Sequence, residues 1–535
     1  MTVGAPGQPA PPQPTPLPSD GSGPFDGRRG RWFLAAAIVV VAAGIALRFW
    51  ARSDLWLDEA LTANLARAPL GDLVSLLKHD GAPPLYYVLL HGWMQVFGTG
   101  DLGIRSLSGV LGVAVVALCW PAGARLGGDS RARRQWVAVT AVLAVTASAY
   151  AIRFSTENRM YMLEMVLVLL GYLAIWRALE RPTLPRLAAV TLATAALLYT
   201  QYWALYLVAV VGACLLGVAW RGEPRGPARR TLVAVVIGGC AFLPWVPTFL
   251  FQAAHTGTPW ATAPLPPTGV SLTITEFAGG EHFEGDLIRL LLLLLPLLAL
   301  FGTAVSRRHV DLDLTTRSGV RWEWIAWAAT LVVGLTASYA AASAFQGRYA
   351  AIVYPIFVLT LAFGITAFGS RGVRYGLIAF IVVFGLVGGV RNSLGHRTQA
   401  GAVATAVNRG AHPGDVVAYC PDQVAPAVTR LVTRDVEQGV FPGFRRPDIV
   451  DWVDYEDRNR AADPKAFADD VLARAGSDGA IYYVYASGYR TLDLKCEAIA
   501  QHLSAARPDP EVLVTDDGAT FEHENLLRFG STSAR

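Results

Sequence analysis

The chain has 535 residues, of which 53% are hydrophobic and 16% are charged, and its formal net charge is +4. A mean hydropathy of +0.38 excludes an ordinary soluble globular domain and is typical of a polytopic membrane protein. The sequence has no basic stripe interleaved with aromatic residues, which argues against binding to nucleic acid. Its arginines lie between apolar runs instead, where they orient a protein in the membrane.

The first 26 residues are rich in Pro, Gly and Ser and lack the apolar residues of a core, so they predict a disordered tail. Arginines follow this tail, and we expect residues 1–31 to form a cytoplasmic segment. The apolar run at residues 32–49 begins too late for a secretory signal peptide and has no small-residue cleavage site after it. Its length is close to the roughly 17–25 residues that a transmembrane helix needs, so it predicts the first span.

Ten further apolar runs extend the predicted membrane domain to residue 390. The eleven predicted spans are residues 32–49, 104–124, 136–152, 160–178, 184–202, 203–220, 231–251, 287–305, 324–344, 349–368 and 373–390. Every second connection is rich in arginine, and the positive-inside rule places those connections in the cytoplasm with the N-terminal segment. The other connections face outward: residues 51–103, the turns near Glu157 and Arg348, and residues 252–286. The odd number of spans places the C-terminus outside, so we expect a multi-pass protein of the cell membrane.

The first outer loop, residues 51–103, carries acids between apolar runs. Within it apolar residues recur at i, i+3, i+4 and i+7, which predicts a short amphipathic helix on the membrane surface; they are Leu70, Leu73, Val74 and Leu77. Residues 57–66 predict a companion helix that contains Asp58 and Glu59. Adjacent residues on a helix point about 100° apart, so we expect one acid to do chemistry and the other to support it. The alternative is that both acids only stabilise the first turn of a helix.

Other ionisable residues also lie at the predicted outer ends of spans. They are Arg153, Glu157, Arg159 and Tyr161 in IRFSTENRMYMLEM, and Arg348 and Tyr349 in FQGRYAAIVYP. Each one alone could be an interfacial side chain that reaches for water. Because ionisable groups at membrane depth are costly, several at one depth indicate a shared polar site. Arginine pairs with phosphate oxygens and a carboxylate accepts a proton from a hydroxyl, so the pattern predicts an enzyme that acts on a lipid-linked anionic substrate at the outer leaflet.

From residue 391 onward the composition becomes that of a small soluble domain. The pattern predicts an α/β module with strands at residues 415–419, 480–485 and 511–515 and helices at residues 464–475 and 492–506. By the topology above, this module, residues 391–535, is extracytoplasmic. An oxidising exterior would allow Cys420 and Cys496 to form a disulfide, and two unpaired core thiols are the alternative.

Four motifs follow one another along the predicted membrane domain: LWLDEA; DGAPPLYYVLLHGWMQVFG with RSLSGVLG; RFSTENRMYML; and GRYAAIVYP. In this combination the chain resembles integral-membrane glycosyltransferases of the GT-C fold, in the group of the protein mannosyltransferases and 4-amino-4-deoxy-L-arabinose transferases (glycosyltransferase family 39 type). The resemblance covers most of residues 32–390. It implies transfer of a pentose or hexose from a polyprenyl-phosphate donor, with inversion, to a saccharide, lipid or protein acceptor at the outer face of the membrane.

The resemblance also implies roles for individual residues. Asp58 matches the acid that would act as general base, and Glu59 would orient it or touch the acceptor. Arg348 would hold the donor phosphate, and Arg159 belongs to a second-site motif that would also bind the donor. Donor binding would further involve Tyr161 and Tyr349, and the supporting positions are Asp80, Tyr86, Tyr87 and Glu157.

Two positions depart from the family pattern. Ala82 stands where many relatives have a histidine before the paired prolines, and Asn158 replaces a small residue. The missing histidine puts a metal-binding role in doubt, and the acids suit a hard divalent cation without specifying one. His79 and His91 are interpreted as structural or interfacial histidines. No cofactor is therefore assigned, and a divalent metal is left open.

A transporter or flippase for lipid-linked saccharides is the competing interpretation, because it would also place ionisable residues along a path through the membrane. The sequence shows no convincing internal repeat, and its acids lie at the outer edge, which favours the transferase. A scaffold or sensor would leave the loop acids without a role. A nucleotide-sugar enzyme is not expected, since no Gly-rich phosphate loop is present.

Overall fold

The computed structural model describes residues 22–258, 261–316 and 319–532. Most of the predicted N-terminal tail therefore lies outside the described residues, and its last residues, from 22 onward, are described. Phe25 packs against Phe33 and Trp120, with ring centroids 6.2 and 6.4 Å apart, and the first helix begins at Gly27. The last residues of the predicted tail are thus packed against the protein, and the first helix begins five residues before the predicted first span.

Helices make up most of the described chain up to residue 394. In chain order they are α1 (Gly27–Leu47), α2 (Leu57–Arg67), α3 (Leu70–Asp80), α4 (Leu85–Phe97), α5 (Asp101–Leu126), α6 (Arg131–Ala147), α7 (Ala149–Ser155), α8 (Tyr161–Glu180), α9 (Leu184–Leu198), α10 (Ala204–Arg221), α11 (Arg225–Cys240), α12 (Val246–His255), α13 (Pro266–Ala278), α14 (Phe283–Phe301), α15 (Arg321–Ala340), α16 (Tyr354–Gly364) and α17 (Arg371–Leu394). A hairpin of β1 (Gly302–Ala304) and β2 (Val310–Leu312) follows α14, and short 3-10 helices lie at Leu243–Trp245, Gly347–Ile352 and Ile365–Ala367.

Six helical segments of the described chain are long and apolar enough to cross a membrane, and the bent pair α6–α7 makes a seventh. The six are α1, α5, α8, α10, the segment Arg225–His255 and α17. The four remaining predicted spans are helical as well and correspond to α9, α14, α15 and α16. The protein is thus a mostly helical, multi-pass membrane protein, and the count of eleven spans stays a prediction.

The break between α6 and α7 lies at Ser148 and bends the pair by 59°. Ser148 has an extended backbone with ψ 123°, and its Oγ caps α7 by accepting the Ala151 N–H at 3.1 Å. The Tyr354 hydroxyl donates to the same Oγ at 2.6 Å, which ties the break to α16. Because α7 leaves the axis of α6, the turn at residues 156–160 comes to lie against α2, where the Asn158 N–H donates to Glu59.

The first outer loop forms the two predicted helices, α2 and α3, and a third, α4, that was not predicted. On α3, Leu73 and Leu77 are buried while Leu70 and Val74 are exposed. The apolar stripe is therefore divided between the protein and its surroundings, as an amphipathic surface helix requires. The helix ends at Gly81, whose φ of +84° is readily adopted only by glycine.

The C-terminal region, residues 400–532, contains a five-stranded sheet with helices. Its elements are α18 (Ala400–Gly410), β3 (Val416–Cys420), a 3-10 turn (Asp422–Val424), α19 (Ala425–Thr429), β4 (Glu437–Val440), α20 (Tyr455–Ala461), α21 (Pro464–Ala475), β5 (Ile481–Tyr485), α22 (Lys495–Ala506), β6 (Glu511–Val514) and β7 (Asn525–Phe529). The strand order is β4-β3-β5-β7-β6, with β3 parallel to β4 and β5, and β7 antiparallel to β5 and β6. The predicted strands coincide with β3, β5 and β6 and the predicted helices with α21 and α22, while β4 and β7 were missed.

Side chains on the central strands alternate between two cores, because both faces of the sheet are covered. On β5, Ile481 and Tyr483 face α21 and α22, whereas Tyr482 and Val484 join the core that continues into the membrane helices. On that second face α19 packs against α2. The sheet is thus attached directly to the first outer loop.

Cys420 at the end of β3 and Cys496 in the first turn of α22 form a disulfide, with Cα atoms 5.4 Å apart. Of the two alternatives for these cysteines, the structure contains the paired one. The bond closes a loop across 76 positions of the chain. In the chain-entropy model, a loop of this length stabilises the folded state by about 4 kcal/mol.

Substituting Cys420→Ala together with Cys496→Ala should therefore destabilise the C-terminal region by about 4 kcal/mol, because its unfolded chain gains the entropy that the bond removes. Thermal unfolding of the purified full-length protein under oxidising conditions measures this change. Cys240→Ala, at an exposed free thiol, is the matched control. The prediction is wrong if the double variant and the control unfold at the same temperature.

Candidate active site

An ion pair between the first outer loop and the segment before α16 lies at the centre of the site. Asp58, in the first turn of α2, has its Oδ2 3.2 Å from Nη1 of Arg348. The two side chains are 17% and 19% exposed, so the pair is only partly buried. The Arg348 guanidinium also lies 5.5 Å from the centre of the Trp56 ring, which is a cation–π contact. The structure thus brings together the residues that the motifs named as base and as phosphate ligand.

Arg159 brings a second positive charge to this pair from the turn before α8. Its Nη1 donates to Thr62 Oγ1 at 2.7 Å and lies 3.5 Å from the Asp58 carbonyl oxygen. Its charge also acts on the carboxyl group of Asp80 and the hydroxyl of Tyr161. Within the described part of the chain, three buried donors here have no hydrogen-bond partner: Arg159 Nε, Arg348 Nε and the Tyr161 hydroxyl. Donors of this kind bind anionic groups strongly.

Asp80 and the two tyrosines of the PPLYY motif lie at the edge of the site. The Tyr87 hydroxyl donates to the Asp80 carboxylate. Burial raises the pKa of Asp80, and the charge of Arg159 and the hydrogen bond from Tyr87 offset part of this change. Tyr86 has a different partner, because its hydroxyl donates to Asn158 Oδ1 at 3.0 Å. Asp80 is therefore next to the cluster formed by Asp58, Arg159 and Arg348, while Tyr86 holds the turn at residues 156–160.

Glu59 does not share the surroundings of Asp58. Its fully buried carboxylate accepts hydrogen bonds of 2.7 and 2.6 Å from Nε and Nη2 of Arg105, and one of 2.9 Å from the Asn158 N–H. Arg397 lies 3.7 Å away. Burial alone would raise the pKa of Glu59, but the charge and hydrogen bonds of Arg105 hold it below its usual value. The two adjacent acids have separate partners, as the helical geometry predicted. The structure does not place Glu59 beside the Asp58–Arg348 pair.

Further charged and aromatic groups surround Arg348. Its guanidinium lies 5.9 Å from the centre of the Tyr349 ring. Glu157 is buried and accepts a hydrogen bond of 2.9 Å from Nε of Arg153. Glu276, on α13, is subject to the charges of both Arg153 and Arg348. The Glu276 side chain also packs against the backbone beside Arg348, so this acid helps to define the position of the arginine.

Sequence reasoning missed several of these residues. Arg105 opens the RSLSGVLG motif, and a charge at the start of the apolar helix α5 was the available signal. Glu276 is an acid in a connection that was predicted to face outward, but its sequence neighbours form no recognisable motif. Arg397 follows α17, and no local pattern relates it to α2.

The two histidines of the first outer loop have structural partners. His79 Nδ1 lies 2.8 Å from an Asp451 carboxylate oxygen in the C-terminal region, and His91 Nδ1 lies 2.8 Å from the Ala66 carbonyl oxygen. Both contacts agree with the interpretation of these residues as structural. Over residues 22–258, 261–316 and 319–532, no group of three or more His, Cys, Asp or Glu side chains is arranged to hold a metal ion.

Comparison with known proteins gives a likeness of fold. No family model matches the sequence, and no curated protein matches it significantly. The crystal structure of ArnT from Cupriavidus metallidurans bound to undecaprenyl phosphate is 12% identical, covers 93% of this chain and 97% of its own, and has a TM-score of 0.54. The apo state of the same protein gives the same identity and coverage with a TM-score of 0.53.

An oligosaccharyltransferase from Archaeoglobus fulgidus, tethered with an acceptor peptide, aligns less closely, with 10% identity over 85% of this chain and 69% of its own and a TM-score of 0.48. The ArnT match therefore carries the comparison, because it spans nearly the whole of both chains. This chain has the GT-C glycosyltransferase fold, which is the fold that the resemblance of its four motifs implied.

Proposed function

We propose that the protein is an inverting glycosyltransferase that moves a pentose or hexose from a polyprenyl-phosphate donor to an acceptor at the outer face of the cell membrane. The observation that carries this proposal is the partly exposed Asp58–Arg348 pair with Arg159 beside it. A carboxylate next to arginines with unused N–H groups combines a proton acceptor with a phosphate-binding site. The likeness in fold to ArnT, which was solved with undecaprenyl phosphate, supports the choice of donor.

The proposal includes the topology expected from the sequence: eleven spans, a cytoplasmic N-terminus and an extracytoplasmic C-terminal α/β domain. Asp58, Arg159 and Arg348 come from three separate connections that the arginine distribution assigns to the outer side. These three connections meet in one cluster. A topology that separated them across the membrane could not produce this contact, so the cluster supports their placement on one common side, and the arginine distribution is what assigns that side to the exterior.

In the proposed reaction the two arginines bind the donor phosphate. Arginine has five N–H donors in a planar fork, so Arg348 can hold Asp58 and still pair with a phosphate oxygen. Its Nε, the Nε of Arg159 and the Tyr161 hydroxyl are free to donate within the described residues. Tyr349 covers one side of Arg348. The positive charges stabilise the phosphate as negative charge develops on it.

Asp58 is the general base of the proposed mechanism. Its carboxylate takes the proton of the acceptor hydroxyl as that oxygen forms a bond to the anomeric carbon of the sugar. The bond from the anomeric carbon to the phosphate oxygen breaks, and the electron pair leaves with the polyprenyl phosphate. One displacement inverts the anomeric carbon. Because the phosphate is a stabilised leaving group, no separate general acid is required.

Asp58→Asn should lower kcat by roughly 10²- to 10⁴-fold, the usual contribution of a positioned base. The assay measures transfer of labelled sugar from polyprenyl-phosphate pentoses and hexoses to envelope extract. Asp72→Asn, at an exposed acid on α3, should retain full activity. If a folded Asp58→Asn protein transfers sugar at the full rate, Asp58 is not the general base. If the wild-type protein moves lipid-linked saccharide across vesicle membranes but transfers no sugar, the protein is a transporter and not a transferase.

Arg348→Ala should weaken kcat/KM by roughly 10- to 100-fold, because a hydrogen bond to a charged group is lost. Arg348→Lys should recover only part of this loss, since lysine keeps the charge but not the planar fork. The matched control is Arg289→Ala on α14, where the arginine pairs with Asp286. If Arg348→Ala and the control have the same kcat/KM for the donor, Arg348 does not bind the donor phosphate.

Glu59→Gln should lower the free energy of unfolding, because it leaves Arg105 and Arg397 as buried charges without their partner. The expected loss is about 3–5 kcal/mol. Thermal unfolding of detergent-solubilised protein measures it. Glu180→Gln, in the partly exposed pair with Arg125, should change stability by less than about 1 kcal/mol. A Glu59→Gln protein that is as stable as wild type but inactive would instead assign Glu59 to the chemistry.

A further inference from the structure

The first turn of α2 lacks a cap from its own sequence. The residue at its N-cap position, Trp56, offers no side-chain hydrogen bond to the helix. The first N–H groups of a helix have no partner within the helix and need one from elsewhere. The Leu57 N–H donates to Oε2 of Glu522 at 3.2 Å, across 465 positions of the chain. The C-terminal region thus caps the helix that carries Asp58.

The residue before Glu522 contacts the N-cap residue of the same helix. The Phe521 and Trp56 rings pack edge to face, with centroids 5.1 Å apart and planes at 87°. Trp56 is 3% exposed and its ring is the one that Arg348 contacts. Phe521 and Glu522 therefore touch the two residues directly before Asp58, and one of those residues also touches the arginine paired with Asp58.

The segment that holds these two side chains is itself fixed by backbone hydrogen bonds. The Glu522 N–H donates to the Arg397 carbonyl at 2.9 Å, and the Gln399 N–H donates to the Glu522 carbonyl at 3.0 Å. Arg397 also faces Glu59, at 3.7 Å. The C-terminal region thus contacts the N-cap residue of α2, Trp56. It is also hydrogen-bonded to the backbone of Arg397, whose side chain faces Glu59 on the same helix.

We propose that Phe521 and Glu522 are positioning residues of the active site. They hold the first turn of α2 so that the Asp58 carboxylate stays paired with the Arg348 guanidinium. The inference rests on the proposed transferase function and makes the C-terminal region an integral part of its active site. The cap requires only an acceptor oxygen at the position of Glu522 Oε2, and a glutamine side chain also has one, so a glutamine can replace Glu522. Burial raises the pKa of Glu522, and the carboxylates of Asp58 and Glu59 act in the same direction.

The test uses full-length protein in lipid nanodiscs with polyprenyl-phosphate sugar donors. Glu522→Ala and Phe521→Ala should each lower kcat by roughly 10- to 100-fold, since small misplacements of catalytic groups have effects of this size. KM for the donor should stay near the wild-type value, and Glu522→Gln should restore most of kcat. The controls are Glu511→Ala, at an exposed acid on β6, and Leu494→Ala, at a side chain as exposed as Phe521. Wild-type kcat in both alanine variants, or a glutamine variant as slow as alanine, overturns the inference.

Hydrogen exchange separates this inference from the proposed function. Amides at residues 57–62 should exchange faster in Glu522→Ala and Phe521→Ala than in wild type and the two controls, whether or not sugar transfer is observed. If the wild-type protein shows no transferase activity but the alanine variants still exchange faster than wild type, the positioning contact is supported and the proposed function is rejected. Unchanged exchange in both alanine variants rejects the contact, whatever the activity. Because Phe521 is 67% exposed, its truncation tests the inference even if Glu522→Ala does not fold.

Discussion

The arrangement of the site depends on one buried carboxylate. Glu59 is removed from water, and its charge is balanced by Arg105 from α5 and by Arg397 from the connection after α17. A buried charge is tolerated only where opposite charges and hydrogen bonds surround it. Because Asp58 precedes Glu59 on the same helix, the contacts that fix Glu59 also fix the direction of Asp58. Glu59, which is not part of the Asp58–Arg348 pair, therefore determines where the Asp58 carboxylate lies.

The broken helix α6–α7 supplies the second constraint. A straight helix would continue along the axis of α6, but the capped break at Ser148 turns the chain by 59° and carries residues 156–160 to α2. Arg159 and Asn158 then meet α2 from that side, while Arg348 reaches it from the segment before α16. The cluster is thus assembled from separate connections, each held by its own hydrogen bonds rather than by a common strand or helix.

The membrane helices, the loop helices α2 and α3 and the strands β3, β5 and β6 could be predicted, because hydrophobic periodicity is local information. Arginine distribution was sufficient to expect Asp58, Arg159 and Arg348 on one side. The helix α13 was missed because Pro266, Pro267 and a nearby glycine indicate a turn, although proline also suits the first turn of a helix. The partners of Glu59 and Leu57 could not be predicted, since Arg397 and Glu522 are distant in sequence and meet α2 only through tertiary packing.

The cap on α2 also sets an order of events in time. Translation proceeds from the N-terminus, so the helix that carries Asp58 is made 465 residues before the glutamate that caps it. Until that residue is synthesised and the sheet around it has folded, the Leu57 N–H lacks its Glu522 partner and Trp56 lacks the Phe521 contact. Nascent chains therefore sit in the membrane with an unfinished site, and completion of the C-terminal region marks the moment at which the site takes its final geometry.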